Sequence, residues 1–99
     1  MKIVVRGPTY YSQTDEALFF QWLESIKCVD RVGGVLYDVH IFLKRRPSDL
    51  QLRDLIALFF RYKMNMKPLA QFRTTKNEHW FFKDKRKFWH SRVFGKTNA

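Results

Sequence analysis

Between Val35 and Leu43 apolar residues recur at every second position, and on either side they recur at helical spacing. A period of 2 flanked by a period of 3.6 excludes an all-helical or an all-strand chain and requires a sheet with helices laid on it. In the alternating run, Val35, Tyr37, Val39, Ile41 and Leu43 share one face. Leu36, Asp38, His40 and Phe42 share the other, where Leu36 and Phe42 suggest partial cover. Gly33-Gly34, after Val29 and Val32, reads as the turn of a β-hairpin whose second strand is this run.

The first third supplies a strand and a helix. Ile3 and Val5 alternate with polar neighbours over Lys2–Arg6, and Gly7-Pro8 ends that strand. Ser12 or Thr14 caps the next element, with Asp15 and Glu16 suited to a helix N-terminus. Leu18, Phe19, Trp22, Leu23 and Ile26 then form an apolar stripe. After the hairpin, Lys44-Arg45-Arg46-Pro47 breaks the strand, and Ser48-Asp49-Leu50-Gln51 is a capping box. Leu52, Leu55, Ile56, Phe59 and Phe60 follow at helical spacing, and the helix is expected to end near Met64-Asn65, with Asn in a left-handed conformation.

In the last third, Pro68 starts a short helix through Phe72. Asn77 is expected to cap a helix from Glu78 to Phe82. Asp84 is expected to cap another from Lys85 to Phe94, ended by Gly95, with Phe88, Trp89, Val93 and Phe94 as its apolar side. Lys96-Thr97-Asn98-Ala99 is expected to fray. The order is β-α-β-β-α plus a helical C-terminal tail. This is an α+β fold with a three-stranded antiparallel sheet and helices packed on one face.

With 99 residues the chain forms one domain, residues 1–99. Ten Phe, three Trp and four Tyr supply a dense core despite the small size. Cys28 is the only cysteine, so no internal disulfide forms, and it reads as a small buried hydrophobe. No signal-peptide pattern opens the chain and no apolar run reaches the length of a membrane span, so a cytoplasmic protein with no membrane partner is expected.

The net charge of +10 is unevenly distributed. Residues 1–43 hold four Lys/Arg against five Asp/Glu, whereas residues 44–99 hold fifteen against four. A basic half implies an anionic partner. In the tail, Lys83, Lys85, Arg86, Lys87, Arg92 and Lys96 interleave with Trp80, Phe81, Phe82, Phe88 and Trp89. The rings read as core and the cations as an outer face. Lys44, Arg45 and Arg46 form a second cluster at a strand end. Lys83, Lys85, Arg86, Lys87, Arg92, Lys44, Arg45 and Arg46 are the candidate partner-binding residues.

Catalytic signals are sparse. His40, His79 and His90 lack ligand spacing and Cys28 has no CxxC partner, so no metal site is expected. No glycine-rich phosphate loop is present and no cofactor is expected. A metal-independent ribonuclease using His79, His90, Tyr10, Tyr11 and the cations is one reading, and a basic RNA- or DNA-binding module is another.

Three stretches resemble a known kind of protein. They are Tyr10-Tyr11 with Asp15 to Leu23; Leu52 to Tyr62 with Met66 to Phe72; and Trp80-Phe81-Phe82 with Phe88-Trp89-His90 and Val93-Phe94-Gly95. Together they resemble the small bacterial immunity proteins encoded beside polymorphic and contact-dependent growth-inhibition toxins. The resemblance implies a non-enzymatic cytoplasmic protein that binds and neutralises a cognate toxin domain, often a nuclease. It carries over no catalytic residue. Inhibitors that plug a nuclease cleft tend to be acidic, but this chain is basic, and like charges oppose encounter. The expected partner is therefore a toxin with an acidic surface.

Overall fold

A computed structural model describes residues 1–95; the expectation for residues 96–99 lies outside them. The strands are β1 (Lys2–Arg6), β2 (Val29–Val35) and β3 (Asp38–Leu43). The helices are α1 (Gln13–Ser25), α2 (Asp49–Arg61), α3 (Glu78–Phe81) and α4 (His90–Phe94), with a 3-10 helix at Lys67–Phe72. The sheet order is β1-β3-β2, antiparallel throughout. Ile3 pairs with Ile41 and Val5 with Val39. These residues, with Val29 and Leu43, are buried on one face. On the other, Lys2, Val4 and Arg6 are exposed while His40 and Phe42 are half-buried.

The hairpin turns later than its glycines suggest. Gly33 and Gly34 lie inside β2, paired with His40 and Val39, and neither has a positive φ. Val35 pairs with Asp38, which leaves Leu36-Tyr37 as the turn. Leu36 takes φ 56°, because a two-residue hairpin matched to strand twist needs a left-handed position. Val35, Leu36 and Tyr37 are consequently 56%, 96% and 75% exposed at the tip. The buried face of β3 therefore starts at Val39, not at Val35. A bulge between Val29 and Arg31 also changes the facing of β2: Val29 is buried, while Arg31 pairs with Phe42 on the open side.

In α1, Ser12 is the N-cap, its Oγ accepting from the Asp15 N–H at 3.0 Å. The Asp15 carboxylate accepts from the Tyr11 N–H, one residue before the cap. Phe19, Leu23 and Ile26 are buried, but Leu18 is 53% exposed, one residue off the centre of the stripe. The capping box of α2 is as read, with Ser48 Oγ accepting from the Gln51 N–H and Gln51 Oε1 accepting from the Ser48 N–H. Its stop differs from the expectation: Lys63, not Asn65, takes the left-handed position with φ 56°. The Lys63 N–H donates to Phe60 O and the Met64 N–H to Phe59 O, the paired bonds of a Schellman motif.

The C-terminal third is held by ring packing more than by helix. Asn77 has no side-chain capping bond. Its side chain is buried and ties the preceding turn together, accepting from the Thr74 N–H and donating to Phe72 O. Asp84 starts no helix either; it accepts from the Arg86 N–H and pairs with the Arg86 guanidinium. The helix expected from Lys85 is shortened to His90–Phe94. Trp80, Phe81, Trp89 and Val93 are buried, with the Phe81 ring 5.6 Å from that of Trp89 and 5.0 Å from that of Phe94. Phe88 departs from the expected apolar side and is 65% exposed. Lys67 Nζ donates to Gly95 O, joining the 3-10 helix to the end of α4.

Two substitutions test these backbone assignments by thermal unfolding. Lys63→Gly relieves a left-handed residue and is expected to add about 0.5–1 kcal/mol and raise Tm by several degrees. Gly95→Ala drives a Cβ into the Ser91 carbonyl oxygen and is expected to cost about 1–3 kcal/mol.

Candidate interaction surfaces

The tail cations do not form one uniform patch. Lys83 pairs with Glu78 at 3.2 Å, and Arg73 reaches the same carboxylate at 3.4 Å while lying over the Phe82 ring. The hydrogen bond from Lys83, its charge and that of Arg73 hold the Glu78 carboxyl below the usual carboxylate range. Arg86 is held by Asp84. Lys85, Lys87 and Arg92 have no acidic partner within 4 Å among the described residues. Arg92 instead lies 5.0 Å from the centre of the Phe60 ring.

Lys87 and Phe88 border a cleft of about 280 Å³ between the tail and α2. Ile56, Ala57, Trp80 and Trp89 form the rest of its lining with Arg53, whose guanidinium sits 4.2 Å over the Trp80 ring. Phe88 contacts Phe60 edge to face at 4.7 Å. The Trp80 indole N–H is buried and has no acceptor among the described residues. The cleft thus has an apolar, ring-lined floor and two exposed cations at its rim. Sequence reading identified Lys87 but not Arg53 or Phe88. Arg53 carries no local signal beyond an outward helix position, since its neighbours here arrive from the far end of the chain.

Lys44, Arg45 and Arg46 follow β3 directly, are exposed, and have no acidic partner among the described residues. The Lys44 N–H donates to Cys28 O. Cys28 is buried, and that burial pushes its thiol pKa up, in keeping with a packing role. Beside this cluster, on the open sheet face, the Phe42 ring lies between two cations: Lys2 Nζ is 5.1 Å and the Arg31 guanidinium 4.1 Å from its centre. Sequence reading placed Phe42 under partial cover; the cover is these two side chains. The bulge that brings Arg31 there has no signature in the local pattern.

The groups considered for acid–base work are dispersed. His90 Nε2 lies 2.6 Å from Phe82 O, and its ring packs on Phe94. His79 is exposed on α3. Tyr10 packs on Phe19 and Phe20, and its pKa is pushed up to about 12 by burial and then by Glu16. Among the described residues no hydrogen bond or ring contact joins Tyr10 or Tyr11 to His79 or His90, and no cluster of three His, Cys, Asp or Glu is positioned to hold a metal. No helix among the described residues is long and apolar enough to cross a membrane.

Comparison with known proteins finds no matching family model, no matching curated protein and no matching solved structure.

The Glu78 pairing generates a pH prediction. Its folded pKa lies below its unfolded value, so its contribution to stability is present above the ordinary Glu range and lost as pH falls through the folded pKa. Thermal unfolding between pH 2 and 7 should show Glu78→Gln less stable than the parent near neutrality. The two should converge in acid.

Proposed function

We propose that this protein is a cytoplasmic, non-catalytic binder that neutralises a cognate bacterial toxin domain by holding an acidic part of its surface. One observation carries the reading: the cation-rimmed aromatic cleft formed by Arg53, Trp80, Lys87, Phe88 and Trp89. Sites that dominate protein–protein affinity are rich in Trp, Tyr and Arg, with an apolar centre that excludes water and a polar rim. The exposed Phe88 and the buried Trp80 provide such a centre, and Arg53 and Lys87 its rim.

The chemistry selects the partner. A carboxylate entering the cleft would meet Arg53 and Lys87, two cations with no acidic partner among the described residues. Lys85 and Arg92 would extend the positive field and speed encounter with an acidic face. A basic nucleic-acid cleft on the toxin would be repelled. The contact then falls on a carboxylate-lined active site or on a face away from the cleft, with the toxin blocked directly or by a shape change. The resemblance to immunity proteins points to the same role.

The test starts from the reading frame next to this gene: a toxin domain encoded there should bind the protein in titration calorimetry, and the protein should rescue growth from it. Phe88→Ala and Lys87→Glu should each weaken binding by roughly tenfold or more, as expected for a central contact worth over 1 kcal/mol. Lys85→Glu should mainly slow association and flatten its salt dependence. Unchanged affinity and rescue in Lys87→Glu and Phe88→Ala would sink the reading.

A further inference from the structure

The open face of the sheet shares no residue with the cleft. Its three cross-strand rows are set by register. Lys2, Phe42 and Arg31 make the first, Val4, His40 and Gly33 the second, and Arg6, Asp38 and Val35 the third. In the first row a ring is held between two cations. In the second, His40 lies nearly parallel to Phe42, at 25° and 6.5 Å between centres. The ground beside His40 is clear, because a Cβ at Gly33 would meet nothing within 4 Å. In the third, Arg6 lies over Tyr37 at 5.3 Å. Asp38 is the one acid in the nine positions. Beyond the first row, β3 runs straight into Lys44, Arg45 and Arg46.

We infer that this face binds single-stranded nucleic acid, with bases stacking along the Arg31–Phe42–His40 layer and phosphates held by Lys2, Arg6 and the Lys44–Arg46 cluster. Three properties favour that occupant. The face is cationic, so it complements a polyanion. Its rings and guanidinium planes lie on a pleated surface that no described element covers, and unpaired bases stack on such platforms whatever their sequence. A duplex keeps its base faces stacked on one another and offers them only at its ends, so the ring layer selects against it. A folded acidic partner gains affinity from rings set in a pocket, as in the cleft, whereas the rings here stand on an open strand surface that suits unpaired bases. The inference stands independently of the toxin-binding proposal, because the residues differ.

The experiment is a fluorescence-anisotropy titration of the whole chain at about 50 mM salt with labelled ten-nucleotide oligo(U), oligo(dT) and a duplex of equal length. Both single strands should bind more tightly than the duplex, and log affinity should fall with log salt by about 0.7 for each phosphate contacted. A gap between oligo(U) and oligo(dT) assigns the natural ligand to RNA or DNA. Phe42→Leu and Arg31→Gln should each lower affinity by about fivefold to a hundredfold. Arg31→Gln changes an exposed side chain and serves as the variant that folds normally. No saturable binding at low salt would overturn the inference. So would equal affinity for duplex, or Phe42→Leu and Arg31→Gln binding like the parent. Loss of toxin binding in Arg31→Gln with oligonucleotide binding intact would hand the face to a protein partner and overturn it too.

Discussion

Ile3, Val5, Val39, Ile41 and Leu43 form one apolar face of a three-stranded sheet, and no such sheet is stable in water until that face is covered. α1 supplies Phe19 and Leu23, and α2 supplies Leu52, Leu55, Ile56 and Phe59, to the same buried cluster. Leu69, Phe72, Phe81 and Val93 of the short helices join that cluster too. Among the described residues the other side of the sheet stays open, and it is there that Lys2, Arg31, His40 and Phe42 stand. The open platform is a direct consequence of the single-sided core.

The C-terminal third solves a different problem. It carries many cations, and a long helix would spread them evenly around its outer side. Packing of Trp80, Phe81, Trp89 and Phe94 instead folds the segment into short turns, with Asp84 and Asn77 bonding backbone locally rather than capping helices. Folding it this way sorts the charges. Lys83 and Arg86 are neutralised within the tail, while Lys85, Lys87 and Arg92 have no acidic partner among the described residues and Phe88 faces solvent beside α2. The cleft exists because α2 and the tail meet, so neither segment contains it alone.

Two surfaces of different chemistry result. The cleft is compact, apolar at its floor and rimmed by cations, a shape suited to one protruding acidic group on a folded partner. The sheet face is broad and flat, with rings and cations laid side by side, which suits an extended polyanion with flat bases. The density of positive charge after residue 43 is common to both, through Arg53 and Lys87 in one and Lys44–Arg46 in the other.

Local sequence determined much of this architecture. The alternation in Lys2–Arg6 and Val39–Leu43, the stripe through Phe19 and Leu23, the Ser48–Gln51 box and Pro68 at the start of the 3-10 helix all act within a few residues, so their outcome is readable from the pattern. Of the eight candidate binding residues, sequence could establish charge but not pairing; the structure sets Lys83 and Arg86 into ion pairs and gives Lys85, Lys87 and Arg92 none among the described residues. It also decided the hairpin turn, where strand register placed Leu36 rather than a glycine in the left-handed position. It moved Arg31 across the sheet through a bulge, and it brought Arg53 to Trp80 from 27 residues away. The bulge and the Arg53–Trp80 contact depend on segments distant in the chain, and the Lys83–Glu78 and Arg86–Asp84 pairs, though local, depend on which way side chains turn; local periodicity contains neither.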